Sequence, residues 1–176
     1  MIRHQSSIVI MGVAGCGKSS LGVAVAQRIG MNLIEGDDHH SPESLNKMRQ
    51  GVALTDADRD GWLAALCKAL QRQPAGLVLT CSALKRIYRD RLRQAAPGLR
   101  FVYLDINRAQ ALARVTERAA SHFFSTSLVD SQFATLEPPT GEAGVLRVDA
   151  MAPPAQLQTQ VCAWLGTHNS AVKEQA

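Results

Sequence analysis

Short apolar runs alternate along the chain with longer segments in which apolar residues recur every three or four positions. The apolar runs predict strands near residues 7–11, 32–36, 76–81, 99–105 and 144–149. The segments between and after them predict helices near residues 18–29, 42–50, 56–72, 83–95, 108–120, 128–137 and 154–166. This alternation favours an α/β fold of three layers, with a mainly parallel five-stranded sheet between helices on both faces.

Length and hydropathy fit one domain rather than several. The 176 residues are enough for one sizeable core, and 46% of them are hydrophobic, as in ordinary globular proteins. We predict a single domain over residues 1–167 and a polar tail over residues 168–176. No apolar run approaches the ~20 residues that span a membrane, and the first five residues lead into the first strand without a signal peptide. We therefore expect a cytoplasmic protein with no membrane partner.

The excess of positive charge has two possible sources. A formal charge of +4 could reflect binding to nucleic acid, or it could come from cations that handle a small phosphorylated ligand. Basic residues concentrate in residues 85–93, a helical pattern without interleaved aromatic side chains, which favours the second source and no nucleic-acid partner. The four cysteines form no C-x-x-C pair, so we expect reduced thiols rather than a zinc site.

A phosphate loop separates the first strand from the first helix. Residues 12–19 match the complete pattern G-x-x-x-x-G-K-[ST]. At such a helix start the free backbone N–H groups and the helix dipole bind phosphate, Lys18 reaches the β- and γ-phosphates, and the Ser19 hydroxyl holds Mg²⁺. The expected ligand is ATP or GTP with Mg²⁺. The predicted nucleotide-binding residues of this segment are Gly12, Val13, Ala14, Gly15, Cys16, Gly17, Lys18, Ser19 and Ser20.

Titratable side chains follow the second predicted strand, where ligands of parallel sheets bind. Asp37, Asp38, His39 and His40 are consecutive. They could bind a divalent metal directly, serve around nucleotide-bound Mg²⁺ and a substrate hydroxyl, or form a solvated turn. The pattern leaves open whether Asp38 or the distant Asp105 contacts the magnesium shell.

Cations near two further helix starts are candidate anion contacts. Arg59 lies in the first turn of the third predicted helix, where a positive charge is mildly unfavourable and an anionic ligand would explain it. After the third strand, Ser82 is a predicted N-cap, followed by Lys85 and Arg86. The pattern favours neither a site nor a solvated face for this segment.

A mobile lid is predicted at approximately residues 114–137. Arg114 and Arg118 share one helix face, and a Ser-rich stretch follows before the next helix. Closure of such a lid excludes water and can bring arginines to the migrating phosphoryl group, although surface arginines are also common without this role.

Taken together, these segments closely resemble the bacterial gluconokinase family, thermoresistant type. They are residues 12–19, 35–40, 46–48, 51–59, 62–63, 81–90, 122–124 and 131–138. The S-A-L-K-R-x-Y-R-D and H-F-F…S-Q-F-x-T-L-E motifs are specific to that family, whereas many kinases share the phosphate loop. The resemblance implies a P-loop fold like those of shikimate and nucleoside-monophosphate kinases, ATP-dependent phosphorylation of D-gluconate at its 6-hydroxyl, and a homodimer.

The resemblance also implies roles for individual residues. Lys18, Asp37 and Arg118 match catalytic positions, with Asp37 orienting or deprotonating the attacking hydroxyl. Arg114 looks like a nucleotide-side arginine. The residues implied to bind the acceptor are Asp37, His40, Arg59, Lys85, Arg86, His122 and Gln132, of which Gln132 can equally be a structural brace of the lid helix. Alternatives are a kinase for another small polyol acid or for shikimate, and a nucleotide-dependent regulator or RNA-binding protein.

Overall fold

Five parallel strands form one sheet. The computed structural model describes residues 6–118 and 126–171, and side chains as far as residue 166. The strands are β1 (Ile8–Met11), β2 (Asn32–Glu35), β3 (Leu77–Thr80), β4 (Arg100–Asp105) and β5 (Val145–Asp149). Their order across the sheet is β2-β3-β1-β4-β5, and every neighbouring pair is parallel. This confirms the predicted sheet, with β1 and its phosphate loop at the centre.

Helices connect the strands and cover both faces. The helices are α1 (Lys18–Ile29), α2 (Pro42–Arg49), α3 (Asp56–Gln71), α4 (Arg86–Ala95), α5 (Arg108–Arg118), α6 (Ser127–Thr135) and α7 (Pro154–Ala171), with a short 3-10 helix at Gly36–His39. No helix in this described part is long and apolar enough to cross a membrane. Helix α7 continues to Ala171, so the segment predicted as a tail from residue 168 begins as helix.

One helix boundary was predicted wrongly. Helix α4 begins at Arg86 rather than near residue 83, and Lys85 is its N-cap, so Ser82 is not the cap. The cause is Ala83, which adopts a left-handed conformation with φ of 46° and interrupts any helix at that point. Residues 82–85 therefore form a loop at the carboxyl end of β3, and this loop brings Ser82 toward the candidate site.

The two faces of the sheet bury separate apolar cores. Along β1, Ile8 and Ile10 face helices α1, α5, α6 and α7, whereas Val9 and Met11 face α3 and α4. All four side chains are at most 1% exposed, as expected of a central strand covered on both sides. Because both of its faces are buried, β1 is held firmly in the core, and the phosphate loop that follows it begins at a fixed position.

A buried ion pair holds the loop after β3 in place. The fully buried Arg89 guanidinium pairs with Glu142, whose side chain is 6% exposed, and Arg93 contacts the same carboxylate at 2.8 Å. Arg89 also donates to the carbonyl oxygens of Ala83 and Leu84, at 2.8 and 3.1 Å. These bonds satisfy the backbone around the left-handed residue, so α4 and a distant loop jointly determine the shape of residues 82–85.

Replacing Glu142 with Gln should destabilise the fold by about 3 kcal/mol, because the buried Arg89 charge loses its counter-ion. Burial raises the pKa of Glu142, but hydrogen bonds from Arg89 and Arg93 outweigh burial and lower it below the ordinary value. A lowered folded-state pKa means that the ionised carboxylate stabilises the protein at neutral pH and loses this effect as pH falls through that pKa. Urea unfolding should therefore show a difference between wild type and variant that shrinks in acid. The exposed Glu117→Gln is the matched control, and an equal cost for both variants would contradict this account.

Candidate active site

The phosphate loop wraps closely around the start of α1. Gly12 has φ of 146°, and a Cβ atom there would lie 2.7 Å from Cys16 Sγ and 2.9 Å from the Leu104 carbonyl oxygen, so only glycine fits. Gly17, the N-cap of α1, is also left-handed, with φ of 97°. These left-handed glycines let the loop curl around the start of α1, where the first backbone N–H groups have no partner within the helix. Lys18 Nζ donates to the carbonyl oxygens of Gly12 and Val13, at 3.0 and 3.2 Å.

Glu35, at the end of β2, reaches the hydroxyl predicted to hold Mg²⁺. Ser19 Oγ donates to Glu35 Oε2 at 3.0 Å, and Thr80 Oγ1 at the end of β3 donates to the same oxygen. Sequence reasoning did not select Glu35 as a site residue. Its position as the last residue of a strand, immediately before Gly36, was the available signal, since carboxyl strand ends meet at one edge. Of the two carboxylates left open by the sequence, Asp105 accepts a hydrogen bond of 2.9 Å from Arg147, and among the described residues the carboxylate bonded to Ser19 is Glu35 rather than Asp38 or Asp105.

A cavity of about 420 Å³ opens beside the loop and reaches the segments after β2 and β3. The predicted site residues that line it are Ala14, Gly15, Gly17, Lys18, Ser19, Ser20, Asp37, His40, Arg59, Arg118 and Gln132. Ser82 and Trp62, which were not predicted as site residues, line it as well. One cavity thus joins the loop to the acidic and basic groups selected from the sequence.

Asp37 is the exposed carboxylate of the cavity, with a side chain 79% exposed. It lies on the 3-10 helix after β2, whose first residue, Gly36, packs so closely on β3 that a Cβ atom would lie 2.3 Å from the Thr80 carbonyl oxygen. Trp62 Nε1 donates to the Gly36 carbonyl oxygen at 2.7 Å. Helix α3 and β3 therefore fix the backbone that presents Asp37 to the cavity.

His40 is a buried wall of the same region. Its imidazole stacks on Trp62 with ring centroids 4.5 Å apart, and its Nε2 lies 3.8 Å from Asp37 Oδ1. Burial lowers the pKa of His40, opposed by the Asp37 charge and reinforced by Arg59 and His39. The ring is consequently neutral at pH 7, and it restricts Asp37 without introducing a competing positive charge.

Arg59 enters the cavity from the first turn of α3. Its Nη1 donates to the Leu54 carbonyl oxygen at 2.7 Å, and its guanidinium carbon lies 5.8 Å from the centre of the Tyr88 ring. The first turn of α3 is closed by a capping box between Thr55 and Asp58. The Arg59 guanidinium is therefore held in place beside the cavity, where it suits an anionic ligand.

Lys85 and Arg86 do not line the cavity. Lys85 pairs with Asp56 at 2.8 Å, and hydrogen bonds from Lys85 and Tyr88 lower the pKa of that carboxyl. The Arg86 side chain is 69% exposed, and its Nε lies 3.7 Å from Asp90 Oδ2. The substrate-binding role of both residues stays a prediction, and only Lys85 lies next to Tyr88 and Arg59 at the margin of the site.

The predicted lid contacts the phosphate loop at two points. Arg114 donates to the carbonyl oxygens of Gly15 and Ala150, at 3.3 and 3.0 Å, and so braces the loop from outside the cavity. Gln132 Oε1 accepts a hydrogen bond of 2.7 Å from the Ala14 backbone N–H. His122 lies outside the described residues, and the predicted mobility of the lid stays a prediction.

Three of the predicted nucleotide-binding residues are buried within the loop and do not line the cavity. These are Gly12, Val13 and Cys16, all buried. Burial raises the pKa of the Cys16 thiol, although Lys18 and Arg114 oppose the shift. Cys16 is thus a buried thiol that packs against Gly12, and burial of this kind makes a thiol unreactive.

Comparison with known proteins agrees with this geometry. Residues 8–139 match a family model described as an AAA domain. A gluconokinase from Gluconobacter oxydans is 43% identical over 145 residues, which cover 80% of each chain. A crystal structure of a gluconokinase from Sinorhizobium meliloti superimposes with a TM-score of 0.89 at 43% identity and covers 99% of each chain.

A more distant structure matches in fold alone. Shikimate kinase from Aquifex aeolicus superimposes with a TM-score of 0.59 at 15% identity, covering 93% of this chain and 98% of the other. The chain is 43% identical to both gluconokinases and 15% identical to this shikimate kinase, which favours gluconate over shikimate as the acceptor. On the sequence matches, the sheet topology and the cavity beside the phosphate loop, the chain belongs to the gluconokinase family of P-loop kinases.

Proposed function

We propose that the protein transfers the γ-phosphoryl group of ATP to the 6-hydroxyl of D-gluconate, which gives 6-phospho-D-gluconate and ADP. The observation that carries this proposal is the single cavity that joins Lys18 and the phosphate loop to Asp37 and Arg59. A phosphoryl donor and a hydroxylated acid must meet in one water-poor site, since an open site would favour transfer to water. The gluconokinase relatives support gluconate as the acceptor.

The donor side supplies charge and alignment. The backbone N–H groups at the start of α1 suit the phosphates, and Lys18 exchanges its contacts with the Gly12 and Val13 carbonyls for β- and γ-phosphate oxygens. Ser19 and Glu35 offer the hard oxygen ligands that Mg²⁺ prefers, the serine directly and the carboxylate directly or through water. Mg²⁺ held there would neutralise charge on the phosphates. Arg118, in the wall of the same cavity, suits the transferring group.

The acceptor side orients one hydroxyl. Asp37 accepts a hydrogen bond from the 6-hydroxyl, whose oxygen forms a bond to the γ-phosphorus while the bond to the β–γ bridging oxygen breaks. The electron pair of the broken bond remains on ADP, and the hydroxyl proton passes late to Asp37 and then to solvent. Because the transition state is loose, Asp37 needs to hold the hydroxyl in line more than to act as a strong base.

Arg59 is the cation best placed for the gluconate carboxylate. Its guanidinium is fixed at the cavity wall by Leu54 and Tyr88, and a fixed fork can bind a carboxylate through two hydrogen bonds. His40 offers a neutral imidazole for the chain of hydroxyl groups, and Lys85 suits an oxygen of the acceptor at the margin. The family resemblance further supports a homodimer in the cytoplasm.

A coupled assay of ADP release tests the proposed function. With ATP and Mg²⁺, D-gluconate should give turnover well above the rate without an acceptor, whereas shikimate and glycerate should not. The chemical reason is that the cavity must bind a carboxylate and a line of hydroxyl groups together, and an acceptor that leaves these polar groups of the cavity unpaired is rejected. Turnover with another acid alone, or an equal rate without any acceptor, would contradict gluconate as the substrate.

Replacing Asp37 with Asn should lower kcat by about 10²- to 10⁴-fold, because the amide cannot accept the hydroxyl proton. ATP affinity, measured by nucleotide titration, should stay close to that of the wild type, since Asp37 faces the acceptor. Asp38→Asn is a matched control, because Asp38 lies next along the same 3-10 helix and is not among the lining residues. Equal losses of turnover and ATP affinity in the Asp37 variant would reject its assigned role.

A further inference from the structure

Gln132 makes an unusual contact with the phosphate loop. Its Oε1 accepts the hydrogen bond of 2.7 Å from the Ala14 N–H, and Ala14 is 118 positions away along the chain. A backbone N–H can only donate, so this bond assigns oxygen and nitrogen within the carboxamide. The Nε2 group, with two N–H donors, is then the other end of the amide. In the described part of the chain, no hydrogen bond from Nε2 is present.

The carboxamide is held in place by the helix that carries it. Leu128 and Val129 of α6 are buried, and Ser127 Oγ donates to the Gly51 carbonyl oxygen at 3.3 Å. Arg108 of α5 pairs with Asp130. Packing of α6 holds the backbone of Gln132, and the bond from Ala14 holds its Oε1 atom. The side chain therefore loses little further freedom when Nε2 binds a ligand, which is the preorganisation that catalysis requires.

The neighbours of Gln132 identify the ligand chemistry. Gln132 lines the cavity together with Gly15, Lys18, Asp37 and Arg118, which belong to the donor and acceptor sides of the proposed reaction. A donor amide tied to the phosphate loop suits a phosphoryl oxygen, since the loop and Lys18 bind the terminal phosphates. A glutamine that only braced a helix would need the one hydrogen bond to Ala14 and would not need to line the cavity, as Gln132 does.

We propose that Gln132 is a catalytic residue whose Nε2 donates a hydrogen bond to a nonbridging oxygen of the transferring γ-phosphoryl group, while Oε1 remains on the Ala14 N–H. This inference rests on the phosphoryl transfer proposed above and adds an uncharged donor to Lys18 and Arg118. Such a donor stabilises charge on the equatorial oxygens of the transition state. Oε1 of the carboxamide holds α6 against the phosphate loop, while Nε2 contacts the transferring phosphoryl group. The position of α6 therefore affects the position of this donor.

Replacing Gln132 with Glu separates catalysis from bracing. The carboxylate retains an oxygen for the Ala14 N–H, but it presents a negative oxygen where Nε2 had donated. The proposal predicts a fall in kcat of about 10²- to 10³-fold in the gluconate assay, with the thermal midpoint unchanged. Gln110→Glu is the matched control, because Gln110 Oε1 also accepts a backbone N–H, from Asn107 at 3.2 Å, and does not line the cavity. It should behave like the wild type.

Nucleotide titration gives a second measurement that does not depend on turnover. In the presence of Mg²⁺ and without acceptor, Gln132→Glu should bind ADP as the wild type does and ATP about tenfold more weakly, because the γ-phosphate alone meets the new charge. Wild-type behaviour in both experiments would reduce Gln132 to a brace and overturn the proposal. Equal weakening of ADP and ATP, or a raised gluconate KM with normal kcat and ATP affinity, would also overturn it.

The outcomes distinguish this inference from the proposed function. If the wild type fails to phosphorylate gluconate, the acceptor assignment fails, yet the contrast between ATP and ADP still tests the γ-phosphate contact. If the wild type phosphorylates gluconate and the Glu variant keeps full turnover, the acceptor assignment stands and the role of Gln132 fails. Gln132→Ala, which loses both ends of the amide, should lose turnover and also lower the thermal midpoint.

Discussion

One carboxylate oxygen connects three elements at the edge of the sheet on which the site is built. Glu35 Oε2 accepts hydrogen bonds from Ser19 on α1 and Thr80 on β3, and Glu35 itself ends β2. Parallel strands place their carboxyl ends side by side, but the ends of β2 and β3 must also be held close to the phosphate loop. This shared oxygen ties the ends of β2 and β3 to the start of α1 with polar groups that are also suited to Mg²⁺, so the structural and chemical requirements fall on the same atoms.

The acceptor side depends on close packing of the same strands. Gly36 approaches the Thr80 carbonyl so closely that no side chain fits, and Trp62 bonds the Gly36 carbonyl while it stacks on His40. Asp37 is the next residue along the chain, and its direction is therefore set by its neighbours rather than by its own contacts. A carboxylate aligned in this way can orient a hydroxyl and remain exposed to the cavity.

The phosphate loop and the parallel five-stranded sheet could be predicted from the sequence because each follows from local rules. The glycine spacing encodes the loop, and apolar runs between helical patterns encode a parallel sheet. The start of α4 could not be predicted, because the conformation of Ala83 depends on bonds from Arg89, which is held by Glu142 53 positions away. A serine before a helical pattern favours an N-cap, and here the distant ion pair overrides that preference.

The site residues also divide into those that a local motif predicts and those that depend on long-range contacts. Lys18 and Asp37 lie in short motifs whose chemistry is visible in sequence, and both line the cavity. The contact of Gln132 with Ala14 could not be seen, since it requires α6 to fold back over the loop. Lys85 and Arg86 lie at the start of α4 but do not line the cavity, and they pair with Asp56 and Asp90. Their substrate-binding role stays a prediction, because a sequence pattern does not distinguish a ligand contact from a surface ion pair.

If the cavity holds the primary hydroxyl of gluconate in line with the γ-phosphate beside Asp37, the product carries its phosphate on the 6-oxygen. The phosphorus NMR spectrum of the purified product, recorded with proton coupling, shows which oxygen carries the phosphate. Phosphate on the 6-oxygen is coupled to the two protons of a methylene group, so the account predicts a triplet. A doublet, from phosphate on a secondary hydroxyl, or a signal without proton coupling, from phosphate on the carboxylate, would contradict it.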